Sequence, residues 1–381
     1  MTFSERFNGW VHPLMVKRVA KFYKKKMAKI ERQRPELFKA VDADVTKKHL
    51  ALWGRLGLPV SDVWLRFLSN VSGIVDYTYC PDDMYYAVIE RIINTCDWGV
   101  GGMSDKNMMA LFVDDNDAPR NILRYMRGRF CDQEYRTITE SQASDLLATD
   151  HGELIGKIVD ESGGHGVAAY RFVGGRYVSN DGQVLTVDRI KSFGSSWMLQ
   201  ERIQQCDFSA KFNPSSCNTC RLITLRCPWN GKTRVAAAGM RFGVSNAVID
   251  NMSQGGMCVA VSGNGELGRV AATNWYNGDP VLKHPVSGIA FEGQVHPYFE
   301  QMGILACKYA EKNPYMNILS WDMIADSNGQ IKILEVNPAG QGIDWPQFDF
   351  GSLFGEDTEA LVDWCVAHKE FNKFNHLRTW Y

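Results

Sequence analysis

Ser320-Trp321-Asp322-Met323-Ile324-Ala325-Asp326-Ser327-Asn328-Gly329-Gln330-Ile331-Lys332-Ile333-Leu334-Glu335-Val336-Asn337-Pro338 is the stretch on which the reading of this chain turns. Trp321–Ala325 alternates like a strand, and Ile331–Val336 is a second apolar strand. Between them, Asp326-Ser327-Asn328-Gly329 is turn chemistry, because Asn-Gly accepts positive φ at little cost. The two strands therefore form a β-hairpin. Asp322 sits on one arm, and Glu335 and Asn337 lie at the end of the other. Three oxygen-bearing side chains can converge there, a set that suits Mg²⁺, which keeps some waters and shares phosphate oxygens. A hairpin with incidental surface carboxylates is the simpler reading. The Asn two residues after the Glu, followed by Pro-Ala-Gly-Gln-Gly, weighs against it.

The rest of the chain sets bounds on that site. Its 381 residues are enough for two or three domains and a sizeable core. Apolar residues make up 45% and charged residues 22%, which excludes a disordered chain. A net charge of -1 gives no global field for nucleic acid. No apolar run approaches the ~20 residues of a membrane-spanning helix. Met1–Val11 lacks the apolar core of a secretory signal, so a cytoplasmic location is expected. The ten cysteines then read as reduced thiols. Cys217-Asn218-Thr219-Cys220 has C-x-x-C spacing, but it has neither a second pair nor a following helix and reads as incidental.

Charge is uneven along the chain. Lys17–Arg34 holds nine Lys or Arg and one Glu. Val16–Arg32 can form a basic helix with Val16, Val19, Ala20, Tyr23, Met27 and Ile30 on one face. That helix could meet an anionic membrane or polymer. Its apolar face is modest and lacks Trp or clustered Leu, which favours a solvated helix packed on the body by its apolar side. His49–Asn70 reads as two short helices around Gly57-Leu58-Pro59. Pro81–Asn94 is another, with Pro81 at its start and Asp82 and Asp83 in its first turn. Residues 1–104 thus read as a helical region without an obvious catalytic cluster. Asp105-Lys106-Asn107 opens a helix with Ser104 as its expected N-cap.

From Pro119 the pattern changes to short strands. Leu154–Val159 is a strand carrying Lys157 among apolar neighbours. Ser162-Gly163-Gly164-His165-Gly166 follows, then a strand at Ala168–Val173. Glycines let backbone N–H groups approach phosphate oxygens, and a nearby ammonium offsets their charge. The loop runs strand to strand, so it is neither a P-loop nor a dinucleotide fingerprint, and a plain tight hairpin explains it equally well. Ser196–Ile203 is a strand whose end, Gln200-Glu201-Arg202-Ile203, offers backbone groups to an adenine ring. Asp207 just beyond could hold ribose hydroxyls. Three more strands are expected: Asn218–Arg226 with Arg221, Ala236–Phe242 with Arg241, and one within Val248–Gly256 that ends in a loop. Arg221 and Arg241 could each fork onto a phosphate or carboxylate. Helices are expected at Pro297–Lys312 and Asp357–Lys369.

From about His49 to about Asp363 the sequence resembles the ATP-grasp superfamily, and more closely its sugar-transfer-associated branch. The residues that carry the resemblance are Asp105-Lys106-Asn107, Lys157 with Gly163-Gly164-His165-Gly166-Val167, Gln200-Glu201-Arg202, Asn218-Thr219-Cys220-Arg221, Arg241, Asp250-Asn251 with Gly255-Gly256, His284-Pro285, Trp321-Asp322 and Glu335-Val336-Asn337. The Asp…Glu-x-Asn ending is shared across the superfamily. Asn-Thr-x-Arg and Asp-Asn-x-x-x-Gly-Gly point to the narrower branch. The basic N-terminal helix lies outside the resemblance.

The resemblance implies an α+β ATP-grasp fold of two α/β lobes closing on ATP, with a mostly helical N-terminal region. The expected divisions are 1–104, a lid lobe at 105–203, and a metal-binding lobe at 204–381. It implies that Lys106 and Lys157 contact the α- and β-phosphates, that Gly163–Gly166 form a mobile lid, and that Gln200–Ile203 form the adenine hinge. Asp322, Glu335 and Asn337 would hold two Mg²⁺ ions, with Mn²⁺ able to substitute. Arg221 and Arg241 would act on the transferred phosphoryl group or the carboxylate. Asn218, Asn251, His284 and Gln341 are candidate substrate contacts. The implied activity is ATP-dependent amide-bond formation between a carboxylate and an amine through an acyl phosphate. The substrates would be small-molecule or glycan-linked, as in surface polysaccharide biosynthesis, with no nucleic-acid partner. Two other functions fit the same residues: a small-molecule kinase that phosphorylates a hydroxyl, and a non-catalytic nucleotide-binding module, which would not need the full ligand set. The sequence carries no signal for an oligomeric state.

Overall fold

Apolar residues alternating with polar ones fold this chain into two antiparallel sheets, with helices filling the space around the second. The computed structural model describes residues 3–94, 102–159, 166–244, 250–273 and 280–372, with side chains from residue 12 onward. The first sheet contains β1 (Asn121–Met126), β2 (Arg129–Cys131), β3 (Thr137–Ile138), β4 (Leu154–Ile158), β5 (Val167–Val173), β6 (Arg176–Ser179) and β7 (Ser196–Glu201). Its order is β3-β2-β1-β7-β4-β5-β6. The second contains β8 (Cys220–Arg226), β9 (Thr233–Phe242), β10 (Met257–Val261), β11 (Leu267–Ala272), β12 (Ile318–Ala325) and β13 (Ile331–Asn337). Its order is β11-β10-β9-β8-β12-β13. The expected hairpin is therefore β12–β13, at one edge of the second sheet.

The two faces of the second sheet bury different partners. On one face, Leu222, Trp321 and Met323 pack with Met302, Ala306 and Tyr309 of the helix Phe299–Glu311. Trp321 Nε1 donates to Thr224 Oγ1 at 2.9 Å, which satisfies its buried N–H. On the opposite face, Ile223, Leu225 and Ile318 lie under the N-terminal helices. Those helices are α1 (Phe3–Gln33), α2 (Ala43–Gly54) and α3 (Val63–Ser72), followed by the run Asp82–Met84, Tyr85–Ile89 and Glu90–Ile93. Val16, Val19, Tyr23, Met27 and Ile30 of α1 join the same core as Ile223, Trp345 and Phe348. The basic helix is thus packed on the body by its apolar side. Lys17, Arg18, Lys21, Lys24, Lys25 and Lys29 remain exposed. Among the described residues no helix is long and apolar enough to cross a membrane.

Asn94 ties the end of the helical run to the hairpin. Its Nδ2 donates to Ile318 O at 2.7 Å and Pro338 O at 2.9 Å. Its Oδ1 accepts from the backbone N–H groups of Asn317 at 2.8 Å and Ile318 at 2.9 Å. A buried amide with all its bonds made fixes the segments it joins.

Three expectations change. Asp105, not Ser104, caps the segment at Lys106, and that segment is a 3-10 turn, Lys106–Leu111. The Asp105 carboxylate accepts from Asn107 N and so competes with a full helical start. Pro81–Asn94 is helical, but its middle, Tyr85–Ile89, is a π-helix. The strand expected at Val248–Gly256 is absent where it can be seen, since residues 248 and 249 lie outside the described residues. There Asn251 caps a 3-10 turn at Met252–Gln254, and Gly255 ends it at φ +90°.

Candidate functional site

Register decides what meets at the hairpin. Asp322 of β12 stands directly opposite Glu335 of β13 and, on its other side, opposite Arg221 of β8. Arg221 in turn stands opposite Gly239 of β9. Side chains directly across a sheet share a face, and so do residues two apart on one strand. Glu335, Asp322, Arg221, Asn337 and Arg241 therefore project from one face, the one that carries the N-terminal helices farther along. Gly239 keeps the row open. A Cβ there would lie 1.7 Å from the Trp345 ring, so only glycine lets that indole lie against β9.

Asp322 is the electrostatic centre of the row. Arg221 donates to both its oxygens, Nε to Oδ1 at 2.7 Å and Nη2 to Oδ2 at 2.8 Å. Arg241 Nη2 adds a contact to Oδ2 at 3.0 Å. This is the bidentate fork that arginine makes best. Burial alone would push the Asp322 pKa up, but the Arg221 and Arg241 guanidinium groups outweigh it and hold the pKa at about 2. Arg241 is oriented by Thr219 Oγ1 at 2.9 and 2.8 Å, and Asp250 accepts from Thr219 N at 2.7 Å and Oγ1 at 2.6 Å. The Asn-Thr-x-Arg and Asp-Asn stretches thus serve to hold one buried Arg–Asp network together.

Both lysines arrive from the other side. Lys106 Nζ lies 3.3 Å from Glu335 Oε1. Its segment is anchored to the first sheet, where Asn107 Nδ2 donates to Ser196 Oγ at 3.1 Å. Lys157, on β4, lies near enough for the same carboxylate to act on its charge. Burial pulls its pKa down, and Lys106 pulls it the same way, while Glu335 pulls it back up. Two ammonium groups held near one another want an anion larger than a single carboxylate.

The oxygen donors fit a hard divalent cation. Among the described residues no group of three or more His, Cys, Asp or Glu side chains could hold a metal ion. An ion here would rest on two carboxylates and an amide, with water and phosphate oxygens supplying the remainder, which is how Mg²⁺ is commonly bound. Each carboxylate oxygen has two lone pairs. Oδ2 of Asp322 uses both on arginines, and Oδ1 keeps one. Asn337 has a buried Nδ2 with no partner among the described residues. That N–H₂ is a donor and suits a phosphate oxygen; a cation would take the Asn337 Oδ1 instead.

The remaining expected site residues separate clearly. Gln200 is buried at the end of β7 and pairs with Asn121 on one side and Ile155 on the other. Arg202 is pinned by Glu153 at 2.9 Å and Ser215 O at 2.8 Å. Glu201 accepts from Arg120 N at 2.9 Å. Gln200–Ile203 thus runs from the first sheet toward the second, and Cys206 N donates to Ala325 O at 2.9 Å. Asp207 is exposed on that connection. Gly166 follows the loop at φ +68°, with Ile158 2.6 Å from any added Cβ. Gly163, Gly164 and His165 lie outside the described residues.

Asn218, His284 and Gln341 are each fully buried. Asn218 bonds Ser209 O, Asn213 O and Gly243 N, His284 bonds Gly243 O, and Gln341 bonds Tyr85 and Asn337 O. Their polar groups are engaged inside the fold. Asn251 differs: it borders a cavity of about 370 Å³ that Arg221 also lines. The N-terminal helices supply much of that cavity's wall, including Lys26 and Asp82. Sequence reasoning passed over both, because helical periodicity marks a buried face without showing what it meets.

Residues 123–359 match the family described as sugar-transfer associated ATP-grasp, well over half of the chain. The chain belongs to that family. Solved structures similar to this ATP-grasp chain include the ADP complex of PurK, N5-carboxyaminoimidazole ribonucleotide synthetase (14% identity, 63% of this chain and 46% of that chain, TM-score 0.35). Another is the ATP-grasp ligase PsnB complexed with minimal precursor, Mg and ADP (11% identity, 71% and 62%, TM-score 0.39). A third is the biotin carboxylase domain of 2-oxoglutarate carboxylase from Hydrogenobacter thermophilus with MgADP, ADP and bicarbonate (14% identity, 74% and 48%, TM-score 0.37). This chain spans between 46% and 62% of the length of those three. A search of curated protein sequences found no match.

Proposed function

We propose that this ATP-grasp protein is an ATP-dependent carboxylate–amine ligase that works through an acyl phosphate and releases ADP and phosphate. The observation that carries the reading is the pairing of Lys106 with Glu335, directly across from Asp322 and two residues from Asn337, with Lys157 within electrostatic reach of the same carboxylate. Cations suited to phosphate come from the Lys106 turn and from β4 of the first sheet, and oxygens suited to Mg²⁺ from the β12–β13 hairpin of the second. Lys106 and Lys157 would bind the nucleotide phosphates, while Asp322, Glu335 and Asn337 would hold the metal. Bound there, Mg²⁺ would supply Lewis-acid stabilisation of the developing phosphate charge. Gln200–Ile203 would position the adenine and Asp207 the ribose. The loop 163–166 would exclude water.

Arg221 and Arg241 take a more specific role than free anion receptors. Their forks hold the Asp322 carboxylate, ionised and oriented, and so fix the metal side of the site. The chemistry then needs few further groups. A carboxylate oxygen attacks the γ-phosphorus and the ADP oxygen leaves. The amine nitrogen next attacks the acyl carbon, phosphate leaves, and the nitrogen gives up a proton. We assign this activity to surface polysaccharide or amino-acid conjugate biosynthesis, in keeping with the family's description. Hydroxylamine trapping tests the route. With Mg·ATP and a panel of carboxylic acids, one acid should give ADP and a hydroxamate in equal amounts. A stable phosphate ester of a hydroxyl compound, with no hydroxamate from any acid, would make the protein a kinase.

A further inference from the structure

The cavity beside Arg221 lies between α1, α3, the helical run that starts at Asp82, and the second sheet. Its about 370 Å³ is within the range of small-molecule sites. Lys26, on the inward face of α1, donates to two carboxylates, Asp344 Oδ2 at 3.0 Å and Asp82 Oδ2 at 3.2 Å. Arg221, the other cation on the wall, is held by Asp322. Among the described lining residues one ammonium therefore serves two carboxylates, and one carboxylate oxygen is left over. The Asp82 side chain is 3% exposed, and its Oδ1 has no hydrogen-bond partner among the described residues. A buried carboxylate oxygen left unpaired is costly, and a donor from a ligand would relieve the cost. The walls suit a cation with an apolar body. Tyr23 stacks on Tyr86 at 5.2 Å, and Lys26 Nζ already lies 5.5 Å from the Tyr23 ring and 5.7 Å from the Trp64 ring.

We propose that this chamber binds a compact primary amine, its ammonium against Asp82 Oδ1 and its apolar body against the Tyr23, Trp64 and Tyr86 rings. Binding follows from the chamber alone. Resting on the ligase reading, the amine is the one that is acylated, because Arg221 joins the chamber to Asp322. Asp82 then takes the proton that the ammonium loses before it attacks. Burial pushes the Asp82 pKa well up, outweighing Lys26, which makes it a better proton acceptor than an ordinary carboxylate.

Isothermal titration of the full-length protein with phenethylamine tests the proposal. N-acetylphenethylamine serves as a neutral control of the same body and 3-phenylpropionate as an anionic one. Phenethylamine should bind, and both controls should bind about 10- to 100-fold more weakly. Asp82→Asn should weaken phenethylamine by a similar factor. Lys26→Met should strengthen it, because the internal ammonium no longer competes, whereas simple damage to the fold would weaken binding in both variants. Equal binding of the neutral amide, tighter binding of the acid, or a loss in Lys26→Met would overturn the proposal. Mg·ATP titrated into the same wild-type sample separates the two readings. Absence of nucleotide binding with amine binding intact would overturn the ligase assignment and leave the chamber's ligand standing.

Discussion

Asp322→Asn would leave two buried guanidinium groups facing a neutral amide. The wild-type carboxylate takes Arg221 at 2.7 and 2.8 Å and Arg241 at 3.0 Å. Removing one partner of a buried ion pair costs about 3–5 kcal/mol. Arg241 keeps Asp250 at 3.5 Å, but Arg221 is left with little beyond Gln341 O at 3.5 Å, so a loss near the lower end is expected. An unfolding entropy of about 2 cal/mol/K per residue, taken over the 381 residues of the chain, turns about 3 kcal/mol into a fall of roughly 4 °C in Tm. Glu335→Gln is the contrast. Glu335 pairs with Lys106 at 3.3 Å and its side chain is 32% exposed, so its removal should cost under about 1 kcal/mol. Thermal melts with and without Mg·ATP read both effects. Wild type should gain about 3 kcal/mol at nucleotide near 100 times its Kd, and both variants should lose that gain. Without nucleotide, only Asp322→Asn should melt early. If it melts with the wild type while Glu335→Gln falls, the carboxylate opposite Arg221 is not the counter-ion that organises the row, and the reasoning fails.

Two further outcomes follow from the same geometry. Asp322 is lowered from the usual 3.8 to about 2, so its contribution is complete above about pH 4 and is lost as pH falls toward 2. Urea melts across that window should lose roughly 2 kcal/mol more from wild type than from Asp322→Asn, and parallel curves would contradict the assignment. Gly239→Ala places a methyl 1.7 Å from the Trp345 ring, so it should cost about 1–3 kcal/mol and weaken phenethylamine binding, since Trp345 lines the amine chamber. Unchanged denaturation and titration would show that the indole can move aside.

The hairpin was legible because its signals are local. Asn328-Gly329 sets the turn and alternation sets the strands, but regular pairing from the turn would put Leu334 opposite Asp322; a register shift between Asp322 and Met323 brings Glu335 there, and no local sequence signal announced it. Lys157 was legible for the same reason, as a lysine on a strand before glycines. Asn218, His284 and Gln341 show the limit of such reading. Each is a polar residue in a loop or strand end near recognisable motifs, and each spends its hydrogen bonds inside the fold. A sequence shows that an amide is present, but its partners decide whether it faces a ligand. The same limit hid the π-helix at Tyr85–Ile89. It and its flank grip the loop beyond Asn337, with Tyr86 Oη accepting from Gly342 N at 3.0 Å and Glu90 from Gly340 N at 2.7 Å.

The N-terminal helices illustrate the point most fully. Their apolar spacing correctly predicted packing on the body, and their exposed lysines look like a solvated face. Yet Lys26 lies on the buried side with Tyr23, Met27 and Ile30, at the spacing of one helical stripe. Its two partners stand 56 and 318 residues away. No local pattern could pair them. A lysine on an apolar stripe must bring its own counter-ions, because burying an ammonium unpaired costs far more than a helix can recover. Two carboxylates answer Lys26 where one would suffice. The surplus leaves Asp82 with an open oxygen in a chamber that reaches Arg221. The helices that precede the family match at residues 123–359 are therefore where this chain's choice of amine would be made: the matched sheets would provide for ATP, and the helices before them for what is joined with its energy.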